Sequence, residues 1–325
     1  MQRLTREEEL RYLEERLNPY HLHQRLGVEE HRESWVVGQG INLFHIENWY
    51  SIHSVIRGLL RVLGLRKRGQ RNALDIRLDE QDVSIRRLSL AFDGYTVLLL
   101  SDLHLDINGE MPDALINAVK GLEYDVCVLT GDYRAKTWGS HLPTVEAFHR
   151  VRAHLKDPVY AVLGNHDSIR MVPHLEGMGI RVLINESVQL RRGEDTLWLA
   201  GIDDPHYFRA DNMELACDDI PREEPSILLS HSPEMYKHAA FANFDLMLCG
   251  HTHGGQVCLP GGIPLMVNAN CPRRMIRGRW EFAGLQGYTS VGSGASVVDV
   301  RINCPPQVSL LRLHPASEPD DQEQV

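Results

Sequence analysis

Past residue 88 the chain changes texture, with short apolar runs alternating with turn residues and helix-like stretches in the manner of an α/β domain. Runs at residues 96–100, 125–129, 159–163, 181–184, 197–200, 227–229, 246–248 and 308–313 are the candidate strands. The N-terminal stretch reads differently. Residues 1–45 are charged and lean toward helix, with Glu7, Glu8, Glu9, Glu14 and Glu15 set among arginines. Over residues 49–63, Trp49, Ile52, Val55, Ile56, Leu59, Leu60, Val62 and Leu63 fall on one side of a helical wheel and Arg57 and Arg61 on the other. This segment runs into Leu65, Arg66, Lys67, Arg68 and Arg71, the mixture expected of a helix lying on an anionic membrane surface. A helix docked on the protein body gives the same pattern. The expected organisation is a helical N-terminal extension over residues 1–88, its amphipathic basic segment at 49–71, an α/β domain over 89–314 and a disordered acidic tail over 315–325.

Composition narrows the classes. A chain of 325 residues, 43% hydrophobic and 24% charged, can bury a sizeable core, which excludes disorder throughout. Lys and Arg number 34 against 44 Asp and Glu, and a net charge of −10 speaks against a broad nucleic-acid-binding surface. The start, MQRLTREEELRYLEERL, has neither the basic lead nor the apolar core of a secretion signal, and no apolar run is long enough to span a membrane. A cytoplasmic location is expected, with peripheral attachment to the inner face of the membrane open to the 49–71 segment. The six cysteines form no CxxC pair and are expected as reduced thiols, Cys127 and Cys249 packed inside apolar runs.

The chemistry is concentrated where five apolar runs end. VLLL leads to Ser101, Asp102, Leu103 and His104; VCVLT to Gly131 and Asp132; YAVL to Gly164, Asn165, His166 and Asp167; ILLS to His231; LMLC to Gly250, His251, Thr252 and His253. In an α/β sheet that edge is where ligands bind, because the loops converge there while the strands hold them rigid. Together the runs deliver Asp102, His104, Asp132, Asn165, His231, His251 and His253, with His166 nearby. Such a density of polar groups is costly to bury unless it binds cations. These donors exceed the about four to six that one ion uses, so two divalent ions fit better than one. Asp132, alone on its loop after a glycine that allows close approach, is the candidate bridge. Nitrogen and oxygen donors without thiolate argue against a structural zinc site and are compatible with Mn, Fe, Zn, Ni or Co, of which Mn is the metal expected.

The ordered series SDLH, GD, GNHD, a single His after an apolar strand, and GHTH resembles the calcineurin-like metallophosphoesterase superfamily, whose pattern is D-x-H, G-D, G-N-H-D/E, H and G-H-x-H. A finer likeness rests on Gly201, Ile202, Asp203, Asp204 and Pro205, on GHTHGGQ, and on Cys304, Pro305, Pro306, Gln307 and Val308. It is to bacterial membrane-associated phosphodiesterases of the YkuE and YaeI type and one class of UDP-2,3-diacylglucosamine pyrophosphatase. The resemblance implies a layered sandwich of two packed β-sheets flanked by helices. It further implies that Asp102, His104, Asp132 and His253 hold one metal, and Asp132, Asn165, His231 and His251 the other. His166 is then left for proton work, with Asp167 placed to orient its ring or to cap a turn.

The reaction expected is hydrolysis of a phosphodiester or pyrophosphate in a phosphorylated small molecule or lipid, such as UDP-2,3-diacylglucosamine. A soluble phosphodiesterase or nuclease acting on nucleotides would use the same ligands; a non-catalytic scaffold would usually have lost some, and here none is missing. Tyr133 and Arg134 are expected to border the pocket, and Arg273, Arg274, Arg277 and Arg279 either to meet an anionic headgroup or to form a solvated face. Asp203 and Asp204 read as a turn. His141, His149, His154 and His206 read as ordinary surface or satisfied side chains.

Overall fold

The structure, a computed structural model, describes residues 4–38, 58, 60–62 and 64–316. Helices α1 (Arg6–Arg16), α2 (Pro19–Gly38) and α3 (Arg66–Leu74) come first. Strands β1 (Arg77–Ile85), β2 (Tyr95–Leu100), β3 (Val126–Leu129), β4 (Val159–Ala161), β5 (Ile180–Val182), β6 (Glu186–Arg192) and β7 (Asp195–Gly201) follow. Among them lie α4 (Met111–Val119), α5 (Leu142–Arg152) and α6 (Val172–Glu176). The second half has α7 (Met213–Cys217), β8 (Ser226–Leu229), α8 (Tyr236–Phe241), β9 (Leu246–Cys249), the short hairpin β10 (Cys258–Leu259) and β11 (Ile263–Pro264), β12 (Gly278–Phe282), β13 (Leu285–Thr289) and β14 (Gln307–Pro315).

Two six-stranded sheets result, in the orders β1-β14-β2-β3-β4-β5 and β12-β13-β9-β8-β7-β6. Side-chain alternation assigns each residue of the apolar runs to one of three cores. Val97, Leu99, Val126, Val128, Ile227, Leu229, Leu246 and Leu248 meet between the sheets. Leu98, Leu100, Cys127 and Leu129 face the other way, against Leu115, Phe148 and Val151 of the helices. Leu228, Met247 and Cys249 form the outer face of the second sheet with Tyr236, Phe244 and Trp280. This is the layered α/β sandwich expected, and its central strands are apolar throughout because both faces are covered.

The N-terminal extension is part of the body. A capping box starts α1, Thr5 Oγ1 accepting from Glu8 N while the Glu8 carboxylate accepts from Thr5 N. Leu13, Leu17 and Leu22 then enter the core behind the first sheet. Within the stretch expected to be helical, residues 77–85 instead form β1, parallel to β14 at the sheet edge. An edge strand with one covered side needs few apolar positions, here Val83 and Ile85, so its charged sequence hid it.

Of the amphipathic segment expected at 49–71, residues 49–57, 59 and 63 lie outside the described residues, as do residues 317–325 of the expected tail. Pro315, placed in that tail, closes β14. Leu60 and Leu65 dock on Val298 and Val300 of the body. Gly69 of α3 lies so close to that surface that a Cβ there would meet Val300 Cβ at 2.8 Å. Among the described residues no helix is long and apolar enough to cross a membrane.

Candidate metal centre

Every candidate ligand stands just past the C-terminal end of a buried strand. Asp102 and His104 follow β2, Asp132 follows β3, Asn165 and His166 follow β4, His231 follows β8, and His251 and His253 follow β9. Parallel pairing of β2, β3 and β4 in one sheet, and of β8 and β9 in the other, puts these ends on one edge of the sandwich. The backbone turns sharply there. Asp102 (φ 52°), His104 (41°), Asp132 (58°), His251 (69°) and His253 (51°) occupy the left-handed region. That conformation costs a non-glycine residue about 1–3 kcal/mol and persists where the surroundings hold it, as they do at functional sites. Two glycines make the crowding feasible: a Cβ on Gly164 would sit 2.3 Å from Asp132 Oδ1, and one on Gly250 1.8 Å from Ser101 Oγ.

Two clusters form. Asp102, His104 and His253 bring ligand atoms within 4.8 Å of one another, and Asp132, His231 and His251 do the same. Asp132 stands between them, its Oδ2 3.4 Å from His231 Nε2 and 3.8 Å from both His104 Nε2 and His166 Nε2. Asn165 Oδ1 is 2.9 Å from His231 Nε2, His251 Nδ1 is 3.2 Å from the same nitrogen, and His253 Nε2 is 3.4 Å from Asp102 Oδ1. All seven side chains are buried.

The donor set fits cations. His104 Nδ1 lies 2.8 Å from the carbonyl of Arg134, and His231 Nδ1 lies 2.7 Å from that of Thr130. A carbonyl only accepts, so each Nδ1 carries its hydrogen, and in the neutral ring Nε2 turns its lone pair toward the carboxylates. Such backbone-fixed rings are the usual arrangement of metal-binding histidines. Burial lowers the basicity of His104, and His253 falls well below the usual range through burial and the nearby Arg301. His231 is opposite: burial works against its charge, but Asp132, Asp102 and Asp204 outweigh it and raise the ring to about 10. The field that favours a proton at His231 favours a cation there equally.

The other sequence-predicted residues fall around this centre. His166 donates its backbone N–H to Asp132 Oδ1 at 2.8 Å, and its ring Nδ1 is 3.2 Å from Thr137 Oγ1. Asp167 follows the turn-capping alternative: its oxygens accept from the backbone of Asp132 (2.7 Å), Tyr133 (2.9 Å) and Gly164 (2.9 Å). It clamps the turn that carries Asp132, and burial with the Asp132 charge pushes its pKa up to about 7. Tyr133 does not border the site, for its ring packs on Phe148 and its hydroxyl donates to the carbonyl of Val162. Arg134 is likewise buried, its guanidinium donating to the carbonyls of His166, Thr137 and Gly139. Both support the loop from beneath. Arg273, Arg274, Arg277 and Arg279 are exposed beside the last ligand block, to which Thr252 Oγ1 ties their segment through the carbonyl of Ile276.

Several contributors carried no sequence signal. Arg25 of α2 is fully buried, stacks on Phe208 at 3.2 Å, lies 3.2 Å from Asp203 Oδ2 and donates to the Asp167 carbonyl at 2.8 Å. Glu29, one turn later, accepts from Ser168 Oγ and Ile169 N. Arg301 holds His253 through its backbone carbonyl (2.9 Å) and Nδ1 (3.0 Å). The His206 ring packs 4.2 Å from that of His251 and pairs with Glu234.

Comparison with known proteins agrees with this geometry. The family model described as calcineurin-like phosphoesterase matches residues 95–255, which contain all seven candidate ligands. The chain is 30% identical to the phosphodiesterase YaeI of Escherichia coli, over 67% of this chain and 82% of that protein. It is 27% identical to the metallophosphoesterase YkoQ of Bacillus subtilis, over 74% and 92%. It is 28% identical to a bovine transmembrane protein with metallophosphoesterase domain, over 81% and 62%. Among solved structures, the NAD nucleotidase of Haemophilus influenzae superposes with a TM-score of 0.43 at 13% identity, over 62% of this chain and 46% of that one. The chain therefore belongs to the calcineurin-like metallophosphoesterase family and is a metal-dependent phosphoesterase.

Proposed function

We propose that this phosphoesterase is a two-metal hydrolase that cleaves a phosphodiester or pyrophosphate bond of a lipid-linked nucleotide such as UDP-2,3-diacylglucosamine, acting peripherally at the inner face of a membrane. The observation that carries the chemistry is the convergence of two carboxylates, one amide and four imidazoles in one buried place, with Asp132 between the halves. Asp102, His104, Asp132 and His253 would hold one ion, and Asp132, Asn165, His231 and His251 the other, Mn being the first choice. Two divalent cations supply Lewis-acid charge against phosphate oxygens and make a water nucleophilic near neutral pH. His166, fixed by its own backbone bond to Asp132, is the residue that donates a proton to the departing oxygen. Asp167 contributes by holding Asp132 in its left-handed turn.

The membrane part rests on surface chemistry. Arg61, Lys67, Arg68 and Arg71 are exposed, and the β10–β11 hairpin exposes Leu259, Ile263, Leu265 and Met266. Val257, just before that hairpin, packs in the same small cluster as Leu60 and Val300, so the basic and apolar surfaces adjoin. That combination favours an anionic lipid surface. Arg277, lying against Gly262 of the hairpin, and its neighbours Arg273 and Arg274 would meet an anionic headgroup. The docking of Leu60 and Leu65 on the body favours the second reading, a soluble phosphodiesterase acting on nucleotides. Hydrolysis of UDP-2,3-diacylglucosamine in mixed micelles, compared with a simple aryl phosphodiester, cyclic nucleotides and single-stranded DNA under Mn, Zn and Mg, tests both. The lipid-linked substrate should be preferred; a clear preference for a soluble nucleotide would overturn the membrane reading and leave the hydrolase intact.

A further inference from the structure

We infer that Glu9, His141 and His174 form a third cation site, of the zinc class, which pins the N-terminal helix α1 to the catalytic body. The three residues share nothing with the centre described above. Glu9 Oε1 lies 2.8 Å from His174 Nε2 and 3.0 Å from His141 Nε2, and the three ligand atoms all fall within 4.8 Å of one another. Glu9 is 4% exposed and His174 2%.

The argument begins with the carboxylate. Buried carboxylates are paired with a cation or bound to a metal, because an isolated charge away from water costs several kcal/mol. Among the described residues no Lys or Arg forms an ion pair with Glu9; its side-chain partners are the two imidazoles. Two neutral rings would satisfy its hydrogen bonds but leave the negative charge uncompensated. The compensating charge must come from a protonated ring or from a cation held among the three groups. Both Nε2 atoms converge on the same oxygen, Glu9 Oε1, as they would around a shared ion. With a divalent ion there, both nitrogens offer lone pairs and the oxygen keeps its charge.

One carboxylate oxygen and two imidazole nitrogens are a donor set that zinc takes readily, leaving a position for water. Their placement gives the ion a structural task. Glu9 belongs to the middle of α1, His141 stands at the start of α5, and His174 is in α6, so a single ion would join three separate elements. Two of these frame the catalytic loops. His141 closes the loop whose Arg134 and Thr137 contact His166, and α6 follows directly on the turn after Asp167.

The test is a zinc count on the full-length protein. Wild type, Glu9→Gln and His174→Gln are stripped with a chelator, refilled with zinc, desalted and analysed for metal per folded chain. Each variant should retain one equivalent fewer than wild type and should lose the rise in Tm that the last equivalent gives. Equal zinc content in all three would overturn the site and leave a hydrogen-bonded carboxylate in its place. Should either variant fail to fold, anomalous diffraction at the zinc edge from wild-type crystals decides. A peak between Glu9 Oε1, His141 Nε2 and His174 Nε2 supports the site, and density without one there overturns it.

Discussion

Asp132 touches both halves of the centre, and its charge is stabilised unequally by its surroundings. Burial works against ionisation, but His231, His166 and His104 outweigh it and hold the carboxyl well below the ordinary range. Asp132→Ala should therefore lose bound metal and activity together, measured as manganese per chain and turnover on an aryl phosphodiester; full two-ion occupancy would refute the bridging role. His166→Ala should keep its metal and lose roughly a hundredfold or more in kcat, as expected of a general acid. The loss should shrink for substrates whose leaving groups need no proton, and an equal loss across leaving groups would count against that role. The ligands themselves were legible because each ends an apolar run, so strand geometry alone brings them to one edge. Asp167 was legible only as a choice between orienting His166 and capping a turn. Three backbone N–H groups converging on it, visible only in the fold, give it the turn.

At the scale of elements, α2 is the surprise. In a charged helix Arg25 cannot be told from the solvated arginines around it, yet it is buried between Asp203, Phe208 and the Asp167 carbonyl. Arg25→Ala leaves Asp203 buried without its main partner and should cost about 3–5 kcal/mol of stability. The pH dependence has a definite sign. Burial would raise the Asp203 pKa, but Arg25 and His21 together lower it. A carboxyl with a depressed folded-state pKa stabilises the fold above its unfolded pKa and loses that contribution as pH falls through the folded value. The Tm difference between wild type and Asp203→Asn should thus be full near neutrality and close below about pH 4; a gap independent of pH would contradict it. The central strands were readable as unbroken apolar runs, whereas β1 escaped because one covered side leaves too little pattern to see.

For the whole molecule, a net charge of −10 means that electrostatic attraction to an anionic membrane depends on local basic surface. Replacing Arg61, Arg66, Lys67 and Arg68 by Gln removes four charges worth about 1 kcal/mol each near such a surface, so co-sedimentation with anionic vesicles should fall at least about tenfold. Unchanged sedimentation would separate the enzyme from the membrane. The sandwich brings two sets of parallel strand ends together, and the proposed chemistry rests on two ions sharing one carboxylate there. Electron paramagnetic resonance of the manganese-loaded protein reads that sharing directly. An exchange-coupled spectrum of paired ions, lost in Asp132→Ala, is the result expected; a fully loaded protein showing only the signal of isolated ions would contradict it.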